Sequence, residues 1–133
     1  MAQVSTNSRM GFGRFVFAGV NFNAGTTDNS IVITLPLGCT TYKVLSMHIT
    51  NASQTLTTAT IGLFTGAGGT GTTLIADTAI TVATATAGNA NSSQTLNGVA
   101  TVNTSATTIF ARVGTPQGVA ATGDVVVEVL YLN

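Results

Sequence analysis

Charge is scarce in this chain. Four basic and four acidic side chains and one histidine are spread over 133 residues, 6% charged in all, where about 25% is usual for a globular protein. The formal net charge is zero and Lys and Arg form no cluster, so the electrostatic footprint of a nucleic-acid binder is missing. A polybasic membrane anchor is missing for the same reason. The single cysteine, Cys39, excludes an internal disulfide framework and a thiolate metal cluster. Tryptophan is absent. Although 44% of the residues are hydrophobic, Thr, Asn, Ser and Gly interrupt every apolar stretch, and none approaches the ~20 residues of a transmembrane helix. Residues 1–10 are polar, and the apolar stretch 15–22 is too short and broken for a signal core, so no export leader is expected. The expectation is one soluble or assembled domain, since 133 residues suffice for one core and are too few for two.

Threonine supplies roughly a fifth of the residues, and Val, Ile, Gly, Asn and Ala dominate the rest at the expense of Glu, Lys, Gln and Arg. β-branched side chains fit a pleated surface and lose rotamer freedom in a helix, which predicts an all-β chain. The first strand spans residues 12–22, with Phe15 and Phe17 on one face and Val16, Ala18, Val20 and Phe22 on the other, a pattern that predicts burial on both sides. A turn over 23–30 leads to a strand at 31–35, which Pro36 ends or marks as an edge. Residues 42–50 alternate most clearly, with Lys43, Leu45, Met47 and Ile49 opposite Tyr42, Val44, Ser46, His48 and Thr50. Further strands are predicted at 58–64, 74–82, 107–113 and 124–132. Residues 65–71, rich in glycine, read as a flexible loop, residues 83–93 as irregular, Asn97-Gly98 as a type I′ turn, and 114–123 as a hairpin loop. Roughly seven to nine short strands at intervals of about 8–15 residues indicate an antiparallel two-sheet β-sandwich or jelly roll. No period of 20 to 50 residues recurs, which excludes a solenoid.

Residues able to carry chemistry are few. Asp28, Asp77 and Asp124 each stand alone beside turn residues, where an Asp bonds its own backbone more readily than a cation. Ser46 and His48 share a strand face but have no strained turn, neighbouring carboxylate or oxyanion loop to make them nucleophile and base. The glycines of 66–71 lack the lysine and helix of a phosphate-binding loop. Cys39 has no charged neighbour to activate it and reads as a small buried apolar side chain. No catalytic residue, cofactor or metal ligand is predicted. One asymmetry remains: residues 1–27 carry Arg9 and Arg14 and no acid, a charge of +2 that the remainder balances with −2. Residues 1–13, polar and without strand alternation, read as an N-terminal arm ahead of a sandwich over 14–133. Arg9, Phe12 and Arg14 are its candidate interface residues.

Three features together resemble the small structural proteins of tailed bacteriophage virions: the strand Ala59-Thr60-Ile61-Gly62-Leu63-Phe64 with its Gly-rich turn and Thr73-Leu74-Ile75, the run from Ile109 to Val113 into 124–131 read as a closing hairpin, and the lack of a leader. The resemblance covers most of residues 30–133 and is compositional. It implies a jelly-roll or sandwich module that decorates or stabilises a capsid, or lines the neck or tail, often as a symmetric trimer. Its partners would be copies of itself and a major capsid or other virion protein, with no nucleic acid and no membrane. Its place would be the virion, assembled in the host cytoplasm. The rival class is a carbohydrate-binding or adhesin sandwich, which usually needs exposed aromatic platforms. This chain offers only Tyr42 and Tyr131 and no Trp for that purpose.

Overall fold

The computed structural model describes residues 11–80, 91–94 and 103–133, the stretch 91–94 as backbone only. Among them lie nine strands and no α-helix: β1 Gly11–Asn21, β2 Thr27–Val32, β3 Thr41–Thr50, β4 Thr60–Gly66, β5 Thr70–Ala79, β6 Asn91–Gln94, β7 Asn103–Thr104, β8 Thr108–Val113 and β9 Thr122–Leu132. They form two antiparallel sheets. The first runs β1-β9-β3, and β6 and β7 follow one another along the far edge of β3; the second runs β2-β8-β4-β5. Four nested pairs underlie this order. β4 pairs with β5, β3 with β6 and β7, β2 with β8, and β1 with β9. The chain is thus one long hairpin folded over itself and stitched by β3·β9 and β4·β8. That is the strand order of a jelly roll.

The inner faces of the two sheets meet in a single apolar core. Phe17, Val20, Tyr42, Met47, Ile49 and Val127 come from the first sheet, and Ile61, Leu63, Ile75, Ile109 and Val113 from the second. Strict alternation would not place these residues together, and two bulges do so. In β3 the register slips between Val44 and Ser46, so that Tyr42 and Val44 before Leu45, and Met47 and Ile49 after it, all face inward. In β1 the register slips between Phe17 and Val20. Gly19 at φ 65° takes the left-handed conformation there and donates its N–H to Asp124 Oδ1 at 2.9 Å. An inserted residue flips every later side chain to the other face, which is how a bulge corrects a sequence whose apolar period changes midway.

Several sequence expectations give way to tertiary pairing. β1 is an edge strand covered on one side only. Phe12 is 78% and Val16 42% exposed, so burial on both faces does not hold. Gly11, Phe12 and Gly13 pair with Tyr131, Leu130 and Val129 of β9 and lie within β1; the rest of the expected arm, 1–10, lies outside the described residues. β2 runs from Thr27 to Val32; Asp28 falls opposite Arg112 of β8 and forms an ion pair with it at 3.0 Å, which holds the expected loop at 27–30 in the ladder. Residues 65–71 form no loose loop. Thr65 and Gly66 end β4, a 3-10 turn covers Ala67–Gly69, β5 begins at Thr70, and the Gly68 N–H is held by Asp28 Oδ2 at 2.7 Å.

Residues 107–113 and 124–132 are not a hairpin, since β8 bonds to β2 and β4 while β9 bonds to β1 and β3. Their connection crosses from one sheet to the other. The three aspartates tie strands and turns together and do not bond their own loops: besides Asp28, Asp77 accepts the Thr60 hydroxyl at 2.9 Å and Asp124 accepts from Gly19 and Asn51. Cys39 is half-buried against the core. Asn91, Ser92 and Ser93, expected to be irregular, belong to β6, whereas residues 83–90 and the Asn97-Gly98 turn lie outside the described residues.

Candidate functional site

Asp28, Asp77, Asp124 and Arg112 serve these internal ties. The other described charged residues, Arg14, Lys43 and Glu128, share with His48 the outward face of the first sheet. Pairing across β1, β9 and β3 lays this face out in rungs: Phe12, Leu130 and Lys43; Arg14, Glu128 and Ser46; Val16, Val126 and His48; then Asp124 and Thr50. Arg14, His48, Thr50, Val126 and Glu128 line a shallow, open depression of about 340 Å³. Val126 forms its floor at 3% exposure.

At the centre of this face, Glu128 Oε1 lies 3.1 Å from His48 Nε2. Ser46 Oγ lies 3.2 Å from the same nitrogen and donates to Glu128 Oε1 at 3.4 Å. A serine, a histidine and a carboxylate are therefore together, and the carboxylate that the sequence did not supply locally comes from β9, some eighty residues away. The arrangement differs from a nucleophile relay. A relay places the hydroxyl on one ring nitrogen and the carboxylate on the other, whereas here both oxygens converge on Nε2. The contacts of Nε2 with Ser46 and Glu128 make a cross-strand clasp joining β3 to β9.

At the margin of the face, Asp124 is held below the usual carboxylate range by the Asn51 amide and the Gly19 N–H, against a smaller opposing effect of burial. On the inner side, burial and the neighbouring Tyr131 push the Tyr42 phenol up to about 12, and its hydroxyl donates to the Ala106 carbonyl at 2.7 Å. Tyr131 is raised as well, by burial and by Cys39 beside it, and meets the Phe15 ring edge-on at 6.5 Å. Both tyrosines belong to the core. Among the described residues no group of three His, Cys, Asp or Glu side chains converges to hold a metal ion.

Of the candidate interface residues, Phe12 and Arg14 lie on the outward face of β1 and Arg9 lies outside the described residues. Val16, Leu130, Val126 and Glu128 join them there and were not identified from sequence. The signal for Glu128 was present, as an acidic side chain on the outward phase of an otherwise apolar strand, but which residues it meets depends on pairing. The chain matches no protein-family model, no curated protein and no solved structure.

Proposed function

We propose that this chain is a structural module of a virion, of the tailed-bacteriophage kind, which decorates or stabilises the capsid through contacts with copies of itself and with the shell protein. The observation that supports this best is the strand order. Two antiparallel sheets built from one folded hairpin, with β6 and β7 sharing one edge position, are a recurrent architecture of viral capsid domains, shared with lectins and cupins. Because fold alone does not fix function, the surface must separate these classes. Four of the described charged side chains are used to hold the domain together, and the outward face of β1 and β9 alternates apolar and charged rungs, which suits protein contact. The Ser46, His48 and Glu128 geometry does not support a hydrolase. A carbohydrate-binding module would present aromatic platforms, while Tyr42 and Tyr131 pack into the core.

Immunogold microscopy with antibodies to the recombinant chain, applied to particles from the virus that encodes it, tests the proposal. Label at regular positions on the particles is the expected result. Unlabelled particles, or saturable binding of the isolated chain to a glycan array, would overturn it.

A further inference from the structure

We propose that the outward face of β1 and β9 is a two-fold interface with a second copy of this chain. The proposal rests on the assembly function above and names the surface that performs it. Three successive rungs carry the argument: Phe12 beside Leu130, Arg14 beside Glu128, Val16 beside Val126. Each outer rung is apolar on both strands, and the middle one carries opposite charges. A two-fold axis lying in the interface, parallel to the strands and midway between β1 and β9, sets each β1 residue over its own rung partner in the other copy. Phe12 then covers Leu130 of the second copy, Val16 covers Val126, and Arg14 faces Glu128 twice over.

An axis perpendicular to the strands through the middle rung would instead put Arg14 on Arg14 and Glu128 on Glu128, and like charges across an interface cost several kcal/mol. Charge complementarity thus selects one geometry. The axis also makes the contact isologous, so that it closes at two copies, and aligned packing of sheet faces at a separation of about 10 Å is an ordinary arrangement. The protruding residues are available: Phe12 is 78% and Val16 42% exposed and the Glu128 side chain 49%, while Val126, at 3% exposure, is the floor of the depression over which Val16 of the second copy sits. His48 and Ser46 hold Glu128 from the β3 side, which fixes the carboxylate before association. Lys43 falls at the rim. Six side chains per copy are far fewer than the 20–30 or so of a standard interface, so the isolated dimer is weak and gains strength when many copies are fixed on one particle.

Sedimentation of the full chain from ~10 μM to ~1 mM tests the proposal, with the thermal midpoint of each variant recorded so that lost folding is not mistaken for lost association. A monomer–dimer equilibrium is expected. Arg14→Glu and Glu128→Arg should each weaken it by about tenfold or more, Phe12→Ser should abolish it, and the double swap Arg14→Glu with Glu128→Arg should restore it. Val32→Ser, on the second sheet, should leave it unchanged. A monomer throughout the range, a trimer, or a dimer indifferent to the three face variants would overturn the proposal. So would dimerisation only after deletion of residues 1–10, which would make that segment the occupant of the face. None of these results decides the assembly function, which stands or falls on particle labelling.

Discussion

Gln117 offers the sharpest test of how the domain is held together. It lies in the crossover from β8 to β9, buried to 8% exposure. Its Oε1 accepts the backbone N–H groups of Thr57, Thr58 and Ala59 at 3.0, 3.1 and 3.1 Å. Its Nε2 donates to Thr57 Oγ1 at 3.2 Å and to the Thr55 carbonyl at 3.4 Å, and its own N–H bonds to the Phe22 carbonyl at 2.8 Å. One side chain thus supplies the hydrogen bonds of the loop that enters β4. Gln117→Met keeps the volume and leaves three donors without an acceptor. The Ala59 N–H is buried and costs about 1–3 kcal/mol when unsatisfied, while Thr57 and Thr58 are exposed enough for water to replace the lost bond at about 0.5–1 kcal/mol each. The sum, about 2–5 kcal/mol, is a large share of the 5–15 kcal/mol or so of a typical domain. At roughly 3–4 °C per kcal/mol for a chain of this size, the thermal midpoint should fall by about 6–20 °C. Gln117→Glu keeps the acceptor and loses the two donated bonds, so it should lose clearly less at pH 7. Differential scanning calorimetry of the three proteins measures this. A Gln117→Met midpoint within about 2 °C of wild type, or a Glu variant as damaged as the Met one, would refute the reasoning.

Thr26 is a β-branched residue at φ 61°, a conformation that costs an L-residue about 1–2 kcal/mol. Thr26→Gly should therefore raise the midpoint by a few degrees, whereas an unchanged or lower value would show that its hydroxyl bond to the Gly25 carbonyl outweighs the strain. Because the folded pKa of Asp124 is lowered, its stabilising effect is present above the unfolded value of about 3.9 and is lost as pH falls through the folded value. The midpoint gap between wild type and Asp124→Asn should accordingly be open at pH 7 and shrink as pH falls below the unfolded value and through the folded one. Tyr42, pushed up to about 12, has the opposite sign: its contribution is whole below about pH 10 and is lost as pH rises through the folded value, amounting to about 3 kcal/mol. Denaturant melts between pH 8 and pH 11.5 should fall more steeply for wild type than for Tyr42→Phe. Self-association should weaken only modestly when salt rises from ~0.05 to ~0.5 M, because screening reduces the two Arg14–Glu128 pairs and leaves the apolar rungs in place; complete dissociation over that range would contradict it.

Much of the fold was legible because strand formation is local. The strands at 42–50 and 124–132 were legible from their apolar patterns, although the bulge at Leu45 puts Met47 and Ile49 on the same face as Tyr42 and Val44 and not on the opposite one, and the two-sheet architecture follows from the number and spacing of the strands. The errors share one cause. The expected loops at 27–30 and 65–71 are held in ladders by Asp28, which meets Arg112 and the Gly68 N–H only after β2, β8 and the β4–β5 turn have come together. The expected hairpin at 114–123 is a crossover because both of its strands find better partners elsewhere. Phe12 and Arg14 were legible in the sequence as candidate interface residues and lie on the outward face of β1, but the rung partners that make that face a patterned surface were not.

What the sequence determined by itself was the set of possibilities. Few charges, one cysteine and an excess of threonine and valine leave a β-sandwich held by packing and backbone hydrogen bonds, with few side chains able to support a reaction. What only the tertiary structure decided was pairing and phase. A strand carries two faces and two edges, and its residues do not state which neighbour will use them. The bulges at Leu45 and Gly19 choose which side chains enter the core, and the nesting of one hairpin inside another sets Glu128 beside His48 and Arg14. Those choices come from the energy of burying all the strands at once, a property of the assembled sheets that no single segment of the chain contains.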